Sequence, residues 1–290
     1  MFNCSAKPNH TEAPLIMFER VGYTLVFSAG LVLNITVLFI FSRIKRWNDT
    51  HIYMLNLLIA DFLAIIFLPF RILETFCSLD KTKLCTILLC MHFSNMYCSI
   101  CTITAISVHR FLAVRFPFLG RADMAKRQKI AVSVCILIWT TITIICAIFH
   151  TDLSPDDLST CYNRKQEKKL NLTFFLILEI VGYLVPLTII ILCSTQTIHN
   201  LVKSIKNVEK IEGMKRKSIA AVISANMFTF IVCFTPIHIG FLLQYLSKDK
   251  VLLWFLNVAE WIATTNCCLD SIGYYFLLKR VSIIYVDSRK

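Results

Sequence analysis

The sequence predicts an all-α fold, a bundle of seven membrane-spanning helices, and three observations carry that prediction. The chain has 290 residues, 57% of them hydrophobic, with a mean hydropathy of +0.66, well beyond what a soluble core requires. About twenty apolar residues cross a bilayer, and windows of that length recur at 17–43, 52–76, 84–114, 128–150, 172–202, 215–246 and 252–278. Nineteen of the thirty Lys and Arg residues fall in 43–51, 110–129, 203–217 and 279–290, which seven spans place on one side. Basic residues mark the cytoplasmic side, so the N-terminus is expected outside.

Residues 1–290 read as one domain: an outer tail at 1–16, the bundle at 17–278 and a cytoplasmic tail at 279–290 that includes a short eighth helix. Residues 1–16 are polar, so the first span is expected to serve as its own insertion signal. The net charge of +12 is largely this inner-loop bias and does not point to nucleic acid. Sequons at Asn3 and Asn9 lie in the outer tail, where glycosylation is possible. Those at Asn34 and Asn48 fall in a span and an inner loop, and that at Asn171 opens the fifth span.

Thirteen cysteines are present, most of them inside apolar spans, where thiols act as small hydrophobes. Cys98 and Cys101 have C-x-x-C spacing but no second ligand pair, which reads as packing rather than metal binding. Cys85 and Cys161 are both expected on the oxidising side, where a disulfide would tie the second outer loop to the third helix. Cys4 is a further outer cysteine, with Cys77 its nearest candidate partner.

Polar residues inside the spans form an ordered pattern. Gly30 to Asn34 lie in the first span, Asn56 to Asp61 in the second, and Cys85 and Arg110 bracket the third. Trp139 lies in the fourth, Pro186 in the fifth, and Cys233-Phe234-Thr235-Pro236 in the sixth. Asn266 and Asp270-Ser271-Ile272-Gly273-Tyr274 lie in the seventh. This set resembles the rhodopsin-like (class A) G-protein-coupled receptors over nearly the whole chain. Trp47 to Asp61, Leu68 to Arg71, Leu178 to Pro186, Pro236 to Gln244 and Asn266 to Asp270 are similar to the small branch of lysophosphatidylinositol and kynurenic-acid receptors.

The resemblance implies a multi-pass plasma-membrane receptor that activates heterotrimeric G proteins of the Rho-activating or phospholipase-activating class. No cofactor is expected beyond a sodium ion, held by Asp61 with Asn34, Ser99, Asn266 and Asp270. A carboxylate at mid-membrane needs such partners, and Asn266 and Asp270 share a helix face. A purely structural polar network, or one proton shared by Asp61 and Asp270, explains the same residues. Pro186 and Pro236 remove helix hydrogen bonds and should kink their spans. Ile100, Pro186, Phe230, Phe234 and Tyr274 match the family's activation relay around Arg110. Core packing accounts for the same side chains.

Several residues depart from the family pattern. His109 replaces the acidic residue before Arg110, Arg216 cannot pair with Arg110, Ser194 stands where Tyr is common and Ser271 replaces a Pro. These departures predict a weakly locked resting state with appreciable basal signalling. A solvated, passive imidazole and a titrating one are both open to His109. The tail has Ser282, Ser288 and Tyr285 as its hydroxyls and no Cys, so arrestin recruitment through it should be weak.

The binding residues expected on the outer side are Arg71, His92, Met96, Glu179, His238, Gln244, Lys168 and Lys169, the last two beside Arg164 and Lys165. His92 occupies the position of the amine-receptor Asp, which argues against a monoamine. The absence of Lys between Lys250 and Lys279 excludes a retinal Schiff base. Arg71 is a planar anion fork near the pocket mouth, or else a snorkelling interfacial residue. Phe93, Phe175, Tyr183, Phe241 and Leu242 are apolar enough to line an acyl-chain site. An anionic ligand is therefore expected: a lysophospholipid such as lysophosphatidylinositol, or alternatively a small carboxylic acid or nucleotide. A transporter would need ionisable residues along a continuous path, and they thin out between Asp61 and Arg110. No nucleophile–base cluster suggests an enzyme.

Overall fold

The computed structural model describes residues 2–3, 13–44, 47–79, 82–116, 123–149, 161–162, 171–204, 210–246 and 251–274. Its helices are α1 (Ala13–Ser42), α2 (Asp49–Glu74), α3 (Lys83–Arg115), α4 (Met124–Ile148), α5 (Leu172–Ser204), α6 (Lys210–Leu246) and α7 (Val251–Thr264). After a break at Thr265 the seventh helix continues over residues 266–274. The first six are long and apolar enough to cross a membrane. The expected seventh span is split into two shorter pieces. The predicted eighth helix lies outside the described residues, as do Asn9, Arg164, Lys165, Lys168, Lys169 and the tail hydroxyls.

Local chemistry sets the helix ends. Asn48 caps α2 by accepting the His51 N–H at 2.9 Å, while its own N–H donates to His51 Nδ1 at 3.2 Å. This reciprocal arrangement satisfies two otherwise orphaned donors. Asn171 starts α5 in the same way, accepting the Thr173 N–H at 2.8 Å. Two of the sequon asparagines are thus cap residues.

The bundle is apolar on its outer surface as well as in its core. Val32, Leu137 and Phe228 are each about two-thirds exposed, a distribution that suits hydrocarbon rather than water. Asn34, Asn56, Asp61, Ser99, Asn266 and Asp270 are buried inside. Asn56 ties three helices together: it accepts from Trp139 Nε1 at 2.9 Å and donates to Thr102 Oγ1 at 2.8 Å.

Pro186 has a different local effect from a simple kink. The preceding segment, Ile177–Leu184, winds as a π-helix, and the Val185 N–H reaches back five residues to the Ile180 carbonyl. A proline ring collides with the carbonyl four residues before it, here that of Gly182, and one wider turn relieves the clash. Pro236 sits within α6, which continues helically through it.

Outside the bundle, Phe2–Asn3 (β1) and Ser78–Leu79 (β2) form a two-residue antiparallel pair that the all-α expectation did not contain. It brings the outer tail against the turn between α2 and α3. Cys77, next to β2, is disulfide-bonded; Cys4, its candidate partner, lies outside the described residues. Cys85 and Cys161 form the expected disulfide, with Cα atoms 5.1 Å apart. Cys161 is further fixed by its N–H, which donates to Glu74 Oε1 at the end of α2.

Candidate functional site

Among the described residues, two cavities flank α3 in the half of the bundle that holds the Cys85–Cys161 disulfide. The first is lined by Ala64, Phe67, Leu68 and Arg71 of α2, Leu88, Met91, His92 and Asn95 of α3, and by Tyr162 and Thr264. The second lies between α3, α4 and α5 and has a volume of about 240 Å³. Its lining is almost wholly apolar, including Phe93, Tyr97, Ile142, Phe174, Leu178 and Gly182. Leu137 and Val181 at its rim are 65% and 61% exposed, so it opens sideways through the bundle surface. His92 and Phe93 are consecutive, yet each lines a different cavity.

Arg71 is only 5% exposed, which rules out the snorkelling alternative. Its Nη2 donates to Glu260 of α7 in a tight ion pair. The guanidinium carbon lies 4.4 Å from the centre of the Tyr23 ring and 5.0 Å from that of Tyr162. Nη1 is buried without a hydrogen-bond partner among the described residues. Burial raises the pKa of the Tyr162 phenol, keeping it neutral beside the cation. Sequence reasoning missed Glu260. A carboxylate in an otherwise apolar run was the available signal, but its partner lies 189 positions away.

On the other side of α3, Glu179 and His238 meet each other, with His238 Nδ1 and Glu179 Oε1 3.1 Å apart. The Tyr183 ring stacks on His238 at 4.3 Å, and its hydroxyl donates to Thr235 Oγ1 at 2.8 Å. His238 Nε2 and the Tyr97 hydroxyl are buried without partners among the described residues. Met96 is packed in the core. Gln244 is partly exposed and lines neither cavity. Leu242 is 43% exposed and points away from the site in which it was expected, while Phe241 is buried.

Deeper in the bundle, Asn34 Nδ2 donates to the Gly30 and Cys267 carbonyls, and Asn266 Nδ2 donates to Asp270 Oδ2 at 2.9 Å. Both Asp61 oxygens, Ser99 Oγ, Asn34 Oδ1, Asn266 Oδ1 and Ser271 Oγ are buried without partners among the described residues. This oxygen-rich set fits a hard cation. No group of three His, Cys, Asp or Glu side chains suited to a transition metal occurs among the described residues, and Cys98 is buried in the core.

At the inner end, His109 is half-buried and faces a carboxylate. Its Nε2 lies 2.6 Å from Asp49 Oδ2, and Arg127 Nε lies 3.8 Å from the same oxygen. Asp49 therefore serves His109 and Arg127. Arg110 makes no ion pair among the described residues, although the Asp49 charge acts on it. Ile100, Phe230, Phe234 and Tyr274 are fully buried, and Phe230 meets Phe234 edge-on at 5.4 Å. Pro186 and Ser194 are buried as well.

The family described as "7 transmembrane receptor (rhodopsin family)" matches residues 33–274. The chain belongs to the rhodopsin family of seven-transmembrane receptors. The receptor is 31% identical over 269 residues to G-protein coupled receptor 55 of Homo sapiens, covering 87% of this chain and 82% of the relative. It is 29% identical over 289 residues to G-protein coupled receptor 35 of Homo sapiens, covering 96% and 90%. Lysophosphatidic acid receptor 6 of Gallus gallus is 32% identical over 276 residues, covering 88% of each chain. The receptor is thus a multi-pass plasma-membrane protein related to lysophospholipid receptors, and its family comprises receptors rather than enzymes.

Proposed function

We propose that this receptor binds an anionic single-chain lysophospholipid, lysophosphatidylinositol in particular, from the outer leaflet and activates heterotrimeric G proteins. The observation that carries this reading is the pair of cavities on either side of α3: a small, more polar one bordered by the buried Arg71, and a larger apolar one that opens sideways through the bundle surface. A headgroup phosphate suits Arg71 and His92, and one acyl chain suits the cavity behind Phe93. A small acid or a nucleotide would use only the first. The N-terminus is outside in this reading, and Asn3 and Asn9 carry glycans. The opened inner cleft presents Arg110 and the basic loop near 203–217 to a G protein of the Rho-activating or phospholipase-activating class.

Nucleotide exchange on such a G protein tests the reading. Lysophosphatidylinositol should activate the receptor, whereas deacylated glycerophosphoinositol, with the same headgroup, should be at least about a hundredfold weaker. About fifteen buried methylenes at roughly 0.8 kcal/mol each exceed that loss even after large entropic costs. Equal potency of the two compounds would refute the two-cavity reading. Sodium at Asp61 is part of the same proposal. The ion would supply positive charge to a buried carboxylate and favour the arrangement that encloses it. Raising sodium chloride against choline chloride should lower ligand-free exchange in the wild type and leave Asp61→Asn unaffected.

A further inference from the structure

The guanidinium that borders this cavity already has an anion of the protein's own beside it. Glu260 of α7 holds Nη2 of Arg71, which leaves Nη1 buried and without a partner among the described residues, on a side chain that lines the cavity with His92 and Asn95. Glu19 of α1 and Glu74 of α2 also lie within electrostatic reach of this guanidinium, but Glu260 is the carboxylate in direct contact. A buried cation ringed by Tyr23 and Tyr162 needs a counter-charge, and in the ligand-free receptor Glu260 supplies it.

The geometry points to Glu260 as a resident counter-anion that an incoming anionic headgroup must displace from Arg71. It thereby sets ligand affinity and ties α7 to α2 until the ligand arrives. This deepens the ligand reading above and rests on it only for the identity of the lipid. The exchange replaces one anion with another at a single fork. What binding gains is therefore the difference between phosphate and carboxylate, plus the use of Nη1. A neutral amide at residue 260 removes the competitor while keeping its size.

Three purified chains test this: wild type, Glu260→Gln and Arg71→Ala. Sodium sulfate, against sodium chloride at matched ionic strength, is the headgroup probe, read as a thermal midpoint. Sulfate should stabilise Glu260→Gln selectively, with little effect on the other two. Equal response of all three chains overturns the proposal. In the exchange assay, lysophosphatidylinositol should be about tenfold or more potent on Glu260→Gln than on wild type; unchanged or reduced potency also overturns it. If the lipid activates no chain while the sulfate response is selective, the lipid assignment fails and the counter-anion role stands. Should Glu260→Gln not accumulate, the double variant Arg71→Gln/Glu260→Gln decides. Recovery of expression in the double variant supports the pairing, and no recovery overturns it.

Discussion

A methyl group has no room at residue 182. A Cβ built on Gly182 would lie 2.5 Å from Cε1 of Tyr97, so α5 and α3 approach as closely as they do because this residue is glycine. Gly182→Ala should force Tyr97 out of place and cost roughly 1–3 kcal/mol through overpacking. A lower thermal midpoint and reduced surface expression would register it, and a midpoint unchanged from wild type would refute the close approach. The inner end gives a second prediction at this scale. His109 holds Asp49 at 2.6 Å, so the carboxylate whose charge acts on Arg110 is already engaged. His109→Ala should release Asp49 toward Arg110 and lower ligand-free nucleotide exchange by about fivefold. Asp49→Ala should raise it. His109→Asp, attractive from sequence as a restored lock, would instead set a second carboxylate against Asp49. Measurements at equal surface expression distinguish these outcomes, and a rise with His109→Ala would sink the argument. Sequence pattern identified Arg71 and His109 as unusual but could not supply Glu260 or Asp49. Those partners are fixed by how distant helices pack, not by spacing.

The helices themselves were largely legible, because hydrophobic length is a local property. Where they deviate, the causes are local as well but harder to weigh from sequence. Thr264 and Thr265 bond back to the carbonyls of Glu260 and Ile262 at 2.7 and 2.6 Å. Such side-chain bonds compete with the helix ladder. Here two in succession coincide with the break that divides the predicted span 252–278, with neither Gly nor Pro to announce it. Pro186 announced a disturbance but not its form, a π segment that sets Glu179 against His238 and Tyr183 against Thr235. Pro186→Ala should let α5 wind regularly and turn those side chains away from α6. Ligand potency is expected to fall by about tenfold or more, consistent with losing about 1.4 kcal/mol of placed contacts, with expression preserved. Unaltered potency would show that the π turn does not position the site.

For the molecule as a whole, charge asymmetry predicts the topology, and the Cys85–Cys161 disulfide braces the face on which the N-terminus is expected. An epitope placed before Ala13 should be stained on intact cells, whereas one after Lys290 should require permeabilisation; the reverse pattern would invert the receptor. Cys85→Ser removes the link that, with Glu74, fixes Cys161 beside Tyr162, which lines the Arg71 cavity. Loss of such a bond typically costs about 2–5 kcal/mol in small domains. The expected result is poor surface delivery and weak response to lysophosphatidylinositol, checked by surface biotinylation and nucleotide exchange.

The wall between the two cavities is a single helix, and that has a consequence for ligand shape. Neighbouring residues on a helix diverge by about 100°, so His92 and Phe93 look in nearly perpendicular directions. An occupant of both chambers must bend around a backbone cylinder where it passes from one to the other. Stiff, rod-like amphiphiles of matching charge and length should therefore be rejected where a pliant three-carbon hinge is accepted.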